Sequence, residues 1–314
     1  MNKTDLSASR SAPKPLLIVL ILVIGIVAIS FSSIFIKWTA APVAIAAMWR
    51  LWITNALLFP FAWRSRRELK GLTGRDWTML FGSGAALGLH FLFWMESLRY
   101  TSVASSTALL ALEPVLVMIG SLWVFKQRTD GRRLASMGIA VLGAIAIGWG
   151  DFGLSARALQ GDLLSLIGTA AVAFHMLFGQ SMRGKMSAVT YSSAVFFIAG
   201  GVLAAYSAFR GFSFVAYSAQ DWTMFGLLAV VPTILGHYLF NWLLKYMHAT
   251  SVSMAVLGEP LGSTLLAFFL LGEVVTPVQF FAGALLIGGV WMFIRRERKE
   301  EAPEAPAAVA EPVS

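Results

Sequence analysis

Two short stretches place reactive groups where they are expensive to keep. Residues 100–114 read YTSVASSTALLALEP and residues 246–260 read YMHATSVSMAVLGEP, and each apolar run ends in a Glu–Pro pair. An acidic side chain near the middle of a bilayer costs several kcal/mol. A proline inside a helix removes one hydrogen bond and clashes with the carbonyl four residues back. Glu113 and Glu259 could carry protons or touch a substrate, with Pro114 and Pro260 as hinges that free the carbonyls of Leu110 and Val256. Each Glu could equally be a structural clasp to a neighbouring helix, and each Pro a fixed kink; both readings stay open.

A second set of polar groups lies in equally apolar surroundings. His90 and Trp94 are four residues apart and share a helix face, as do His237 and Asn241, with Tyr238 and Trp242 on the adjoining face. His175, Met176, Gly179 and Gln180 form a third group, Ser83 stands near the first, and Ser30, Ser33 and Lys37 make one stripe. Toward lipid these groups would be costly, so they should face the protein interior. Histidine, asparagine and aromatic rings around one cavity suit a zwitterion with an apolar or aromatic side chain. Donors would meet its carboxylate, and ring faces its ammonium. The plainer alternative for each histidine is one satisfied interhelical hydrogen bond, and for Trp49, Trp52, Trp94 and Trp242 it is packing or an interfacial belt. Arg50, an intramembrane charge, could snorkel outward, pair with a glutamate or bind a carboxylate. Gly84 and Gly88, four apart, allow close helix approach.

Other chemistry is excluded. The chain has no cysteine, and no metal-binding motif or closely spaced acidic cluster, so no catalytic residue, metal or cofactor is expected. The stretch from Gly179 to Met186 resembles a phosphate-binding loop but lacks the final Ser or Thr and follows no strand. No ATPase subunit is implied.

The elements that position these residues are membrane spans. The 314 residues are 58% hydrophobic and 13% charged, and mean hydropathy is +0.74. About 20 apolar residues cross the hydrocarbon core, and ten such runs occur: 16–36, 43–63, 77–98, 101–125, 133–150, 161–182, 190–209, 221–244, 249–271 and 277–294. The first run is too long for a signal peptide core, and no run alternates as a barrel strand does. The sequence therefore predicts an all-α integral membrane protein of ten transmembrane helices.

Charge sets its orientation. Lys3, Arg10 and Lys14, the Arg64–Arg75 cluster, the Lys126–Arg133 cluster, Arg183, Lys185, Lys245 and Arg295–Lys299 all fall on the side of the N-terminus. The opposite loops hold Lys37, Arg99, Arg157 and Arg210. The positive-inside rule then makes both termini cytoplasmic, and the net charge of +8 reflects topology rather than nucleic-acid binding. A cytoplasmic N-terminal segment would span 1–15 and a disordered Pro/Ala/Glu-rich tail 297–314. Membrane lipids are the expected surroundings, a bacterial inner membrane the expected location, and a monomer is compatible with the sequence.

The chain repeats itself at an offset of about 146 residues. Leu98-Arg99-Tyr100 matches Leu244-Lys245-Tyr246, Ser105 matches Ser251, Glu113-Pro114 matches Glu259-Pro260, and Gly138 pairs with Gly283. Asp76-Trp77-Thr78-Met79 matches Asp221-Trp222-Thr223-Met224. Two halves, 16–150 and 161–296, hold five spans each, and an odd number inverts the second half. Inverted repeats with Gly- or Pro-interrupted spans in matching positions point to a secondary transporter with a midplane site. A membrane-embedded enzyme acting on lipid substrates would need an acidic or His cluster that is missing, and a sensor would need a soluble output region.

The Glu–Pro pair in mid-span, Leu271-Gly272-Glu273, Gln279 with Gly283-Ala284-Leu285-Leu286-Ile287, and Pro42 with Ala47-Met48-Trp49-Arg50-Leu51 resemble the EamA type of the drug/metabolite transporter superfamily. Lys126-Gln127 departs from it, standing where the first half should repeat Gly-Glu. The resemblance implies two inverted five-helix repeats and alternating access around a cavity lined by spans three, four, six, eight and nine. It implies export of small metabolites such as amino acids, nucleosides, drugs or cationic toxicants, with aromatic and other neutral amino acids foremost. Coupling to protons and facilitated diffusion both fit the sequence.

Overall fold

The computed structural model describes residues 13–149, 155–274 and 276–301. It is all-helical, with ten helices long and apolar enough to cross a membrane: α1 Pro15–Trp38, α2 Val43–Arg64, α3 Gly74–Ser97, α4 Val103–Phe125, α5 Gly131–Gly148, α6 Ala156–Arg183, α7 Ala188–Phe209, α8 Ala219–Leu243, α9 Ala249–Leu271 and α10, which starts at Pro277. Helix α10 runs on to Glu301. It therefore takes in residues 297–301, which composition assigned to a disordered tail; the run RERKEE is made of good helix formers. Residues 302–314 and most of the N-terminal segment lie outside the described residues.

Local chemistry starts these helices. Ser102, Asp130, Ser155 and Ser187 cap α4, α5, α6 and α7 by accepting from a backbone N–H three residues on. The matching DWTM tetrads do more. Thr73 with Asp76 opens α3 in a capping box, and Ser218 with Asp221 does the same for α8. Each aspartate also reaches the other half of the chain. Asp76 Oδ1 holds Lys185 Nζ at 2.5 Å, in the loop after α6. Asp221 Oδ1 accepts from Thr39 Oγ1 at 2.6 Å and from the Ala40 N–H at 2.9 Å, in the loop after α1. The ties lie at opposite faces of the bundle and staple α3 to α6 and α8 to α1.

Packing follows the same exchange. Helix α3 packs along α6, α1 along α8, α2 against α7 and α5 against α10. In the last pair the close approach is reciprocal. A Cβ on Gly143 would come within 2.6 Å of the Leu286 nitrogen, and one on Gly289 within 2.5 Å of the Ala140 nitrogen. Gly84 and Gly88 serve α3 in the same way, against Ile198 and Ala199 of α7. The main neighbours of α3 thus belong to the other repeat, and a five-helix repeat is not a self-contained body.

Two helices are broken in mid-span. In α4 a 3₁₀ turn, Leu110–Leu112, precedes Glu113-Pro114. In α9 the helix is interrupted at Leu257, before Glu259-Pro260. Both prolines sit in the first turn of a new helical segment, where a missing N–H costs least. The far ends also correspond. Gly272 closes α9 at φ 72°, and Lys126 closes α4 at φ 59°. The left-handed region suits glycine and costs an ordinary residue about 1–2 kcal/mol, so the departure seen at Lys126 carries strain. Replacing Lys126 by Gly is expected to stabilise the protein by about 1 kcal/mol, read as a higher unfolding temperature in detergent; a lower one would contradict this account of the helix end.

Candidate functional site

The broken helices face each other across a small cavity at mid-depth. Two residues from each of six helices line it: Ile29 and Ser32 (α1), His90 and Trp94 (α3), Leu110 and Glu113 (α4), Val172 and Met176 (α6), His237 and Phe240 (α8), Val256 and Glu259 (α9). Its volume is about 30 Å³, room for about one water. The outer segment of α4 packs on that of α9 beyond Pro260, and their inner segments pack on each other as well. These contacts flank the cavity on both sides.

One wall is aromatic. The His90 and Trp94 rings lie 5.8 Å apart and 5° from parallel. His90 Nδ1 lies 3.0 Å from the Gly168 carbonyl. A carbonyl only accepts, so Nδ1 carries the proton and Nε2 keeps its lone pair. Gly168 makes this contact fit, since a Cβ there would meet the Trp94 nitrogen at 3.0 Å. The His237 ring stands 6.5 Å from that of His90 and edge-on to Phe91 at 5.0 Å.

Arg50 holds the rim. It is fully buried, with its Cζ 4.1 Å from the centre of the Phe91 ring. Nε donates to Thr233 Oγ1 at 3.0 Å and Nη1 to Ser32 Oγ at 3.3 Å. Arg50 Nη2 and Glu113 Oε1 are buried without a hydrogen-bond partner. Snorkelling, one of the readings open to Arg50, is thereby excluded.

Of the residues singled out by sequence, His90, Trp94, Met176, His237, Glu113 and Glu259 come together, with Pro114 and Pro260 directly behind the glutamates. Four do not line the cavity. His175 is spent on Ser83, whose Oγ lies 2.9 Å from Nδ1 and 2.7 Å from the Tyr191 hydroxyl. Asn241 donates to Ser192 Oγ at 3.1 Å, between α8 and α7. Residues Leu239–Leu243 around it are α-helical. Tyr238 is partly buried and packs against the main apolar core. Gln180 accepts from the Ala249 N–H at 2.6 Å and caps α9.

Sequence reasoning missed α1 as a cavity wall. In the serine stripe, Ser30 donates to Ile26 O at 2.8 Å and Ser33 to Ser30 O at 3.3 Å, both within α1. Ser32, one position over, lines the site. The apolar lining, Leu110 and Val256 among it, carries no signal that separates it from lipid-facing residues. Its one marker is the repeat itself, which pairs Leu110 with Val256 and Trp94 with Phe240.

A ten-helix bundle with twin interrupted helices around a small midplane cavity, lined by polar groups among apolar side chains, is the architecture of a membrane carrier. The chain belongs to the EamA-like transporter family, which it matches over residues 16–149 and 159–295. This is a family of transporters and not of enzymes. The uncharacterized transporter YetK of Bacillus subtilis is 24% identical over 276 residues, covering 83% of this chain and 81% of that one. An uncharacterized transporter of Archaeoglobus fulgidus is 24% identical over 262 residues, covering 81% and 88%. A crystal structure with 16% identity superposes at a TM-score of 0.72, covering 91% of this chain and 99% of its own, which shows a shared fold.

Gly168→Val should push α6 from α3 and cost about 1–3 kcal/mol by overpacking. Gly201→Val, at a position with open space, should be tolerated. Equal loss of folded protein in both, followed by gel filtration, would contradict the packing described.

Proposed function

We propose that the protein exports small metabolites, foremost aromatic and other neutral amino acids, from the cytoplasm across a bacterial inner membrane. The single observation that carries this reading is the cavity between the two Glu–Pro breaks, where polar groups and aromatic rings meet at mid-depth. His90, Trp94, Met176 and His237 are the substrate contacts. The flat His90–Trp94 pair offers a face for an apolar or aromatic side chain. In this reading the protein resembles the bacterial aromatic amino acid exporter YddG. The basic loops lie in the cytoplasm and set the direction in which the two halves face.

Transport requires the cavity to expand, because about 30 Å³ does not hold an amino acid. The hinges are at hand, since Pro114 and Pro260 leave the outer and inner segments of α4 and α9 loosely coupled. Separation of the inner segments opens the cytoplasmic side and separation of the outer segments the other. Gln127 Nε2 and His248 Nδ1, 3.0 Å apart, bridge the ends of α4 and α9 on the basic face.

Proteoliposomes loaded with purified protein and offered a panel of labelled aromatic, neutral and cationic amino acids test this directly. Saturable movement of aromatic and neutral amino acids is expected. Folded protein that moves none of them, but does move nucleosides or drugs, would contradict the amino acid reading and leave that of a metabolite carrier.

A further inference from the structure

The twin glutamates are equivalent by sequence, yet their surroundings are not. The repeat places Glu113 and Glu259 at matching breaks, backed by Leu110 and Val256 and flanked by Trp94 and Phe240. One charge spoils the symmetry. Arg50 lies in α2, and the matching part of α7 offers only the buried apolar Val195 and Phe196. Arg50 reaches the cavity wall at Ser32, whose Oγ accepts from its Nη1 at 3.3 Å. Glu113 is 3% exposed, and its Oε1 is fully buried with no hydrogen-bond partner.

A buried carboxylate without a counter-charge is costly, and a cation that reaches it recovers that cost. We infer that Glu113 receives the cationic nitrogen of the transported molecule. The neighbouring wall suits such a ligand. Trp94, its ring parallel to that of His90, lines the same cavity, and a carboxylate beside an aromatic face is a setting that recognises an ammonium. The ligand class is a protonated primary amine next to an apolar or aromatic body, which includes amino acids and amines and leaves out deaminated acids. The inference rests on the reading of the cavity as the substrate site.

Binding of three probes to the purified full-length protein, followed by tryptophan fluorescence, tests it: phenylalanine, phenethylamine and 3-phenylpropionate. The wild type should bind the two amines at least about tenfold more tightly than the deaminated acid, the difference one hydrogen bond between charged groups makes. Glu113→Gln should bring that ratio close to one. Glu113→Asp, which keeps the charge but shortens its reach, should lower the ratio without abolishing it, and serves if the glutamine variant does not fold. An unchanged ratio in both Glu113 variants, or equal binding of all three probes by the wild type, would overturn the inference. Failure of folded wild type to bind any probe would instead defeat the substrate reading on which it rests.

Discussion

In hydrocarbon a polar group finds its partner inside the protein or goes without, and the layout of this molecule follows from that constraint. Arg50, Glu113 and Glu259 lie deep between the helices. They are out of reach of bulk water, so the helices that carry them must bring hydroxyls, rings and opposite charge to the same depth. Ser32 from α1, Thr233 from the π-helical turn of α8 and the Phe91 ring from α3 converge on a single guanidinium. Four helices are thereby fixed around one side chain.

The same constraint explains why the halves interleave. A five-helix repeat cannot bury its own polar face. Pairing α3 with α6 and α1 with α8 lets each half cover the other, and the aspartates at the helix starts fasten those pairs at opposite faces of the bundle. In the proposed transport cycle, the bodies that would move past each other are mixed groups of helices from both repeats. The twin breaks in α4 and α9 lie where those groups meet, with the cavity between them.

Much of this was legible in the sequence. Apolar run length placed the ten spans to within a few residues, because hydrocarbon thickness leaves little choice. The repeated Glu–Pro and Asp-Trp-Thr-Met motifs disclosed the internal symmetry. Side-chain direction was less legible. His237 lines the cavity, while Asn241, four residues on, is engaged by Ser192 of α7. Ser30 and Ser33 looked polar enough to line a cavity but bond within their own helix, while Ser32 reaches it. The role of His175 depended on Ser83 and Tyr191, a contact between distant segments that no local pattern encodes. The strain at Lys126 was visible only as a departure from the glycine that ends the twin helix.

The account stands or falls on whether the cavity between α4 and α9 is reached from both sides in turn. The chain has no cysteine, so Met176→Cys places a single thiol in the cavity wall. A membrane-impermeant thiol reagent can then be applied to right-side-out and to inverted vesicles, with and without a transported amino acid. Labelling from each side, slowed by the amino acid, is the predicted result. A thiol that neither side reaches while the protein continues to transport would show that substrate passes elsewhere, and would contradict the central claim.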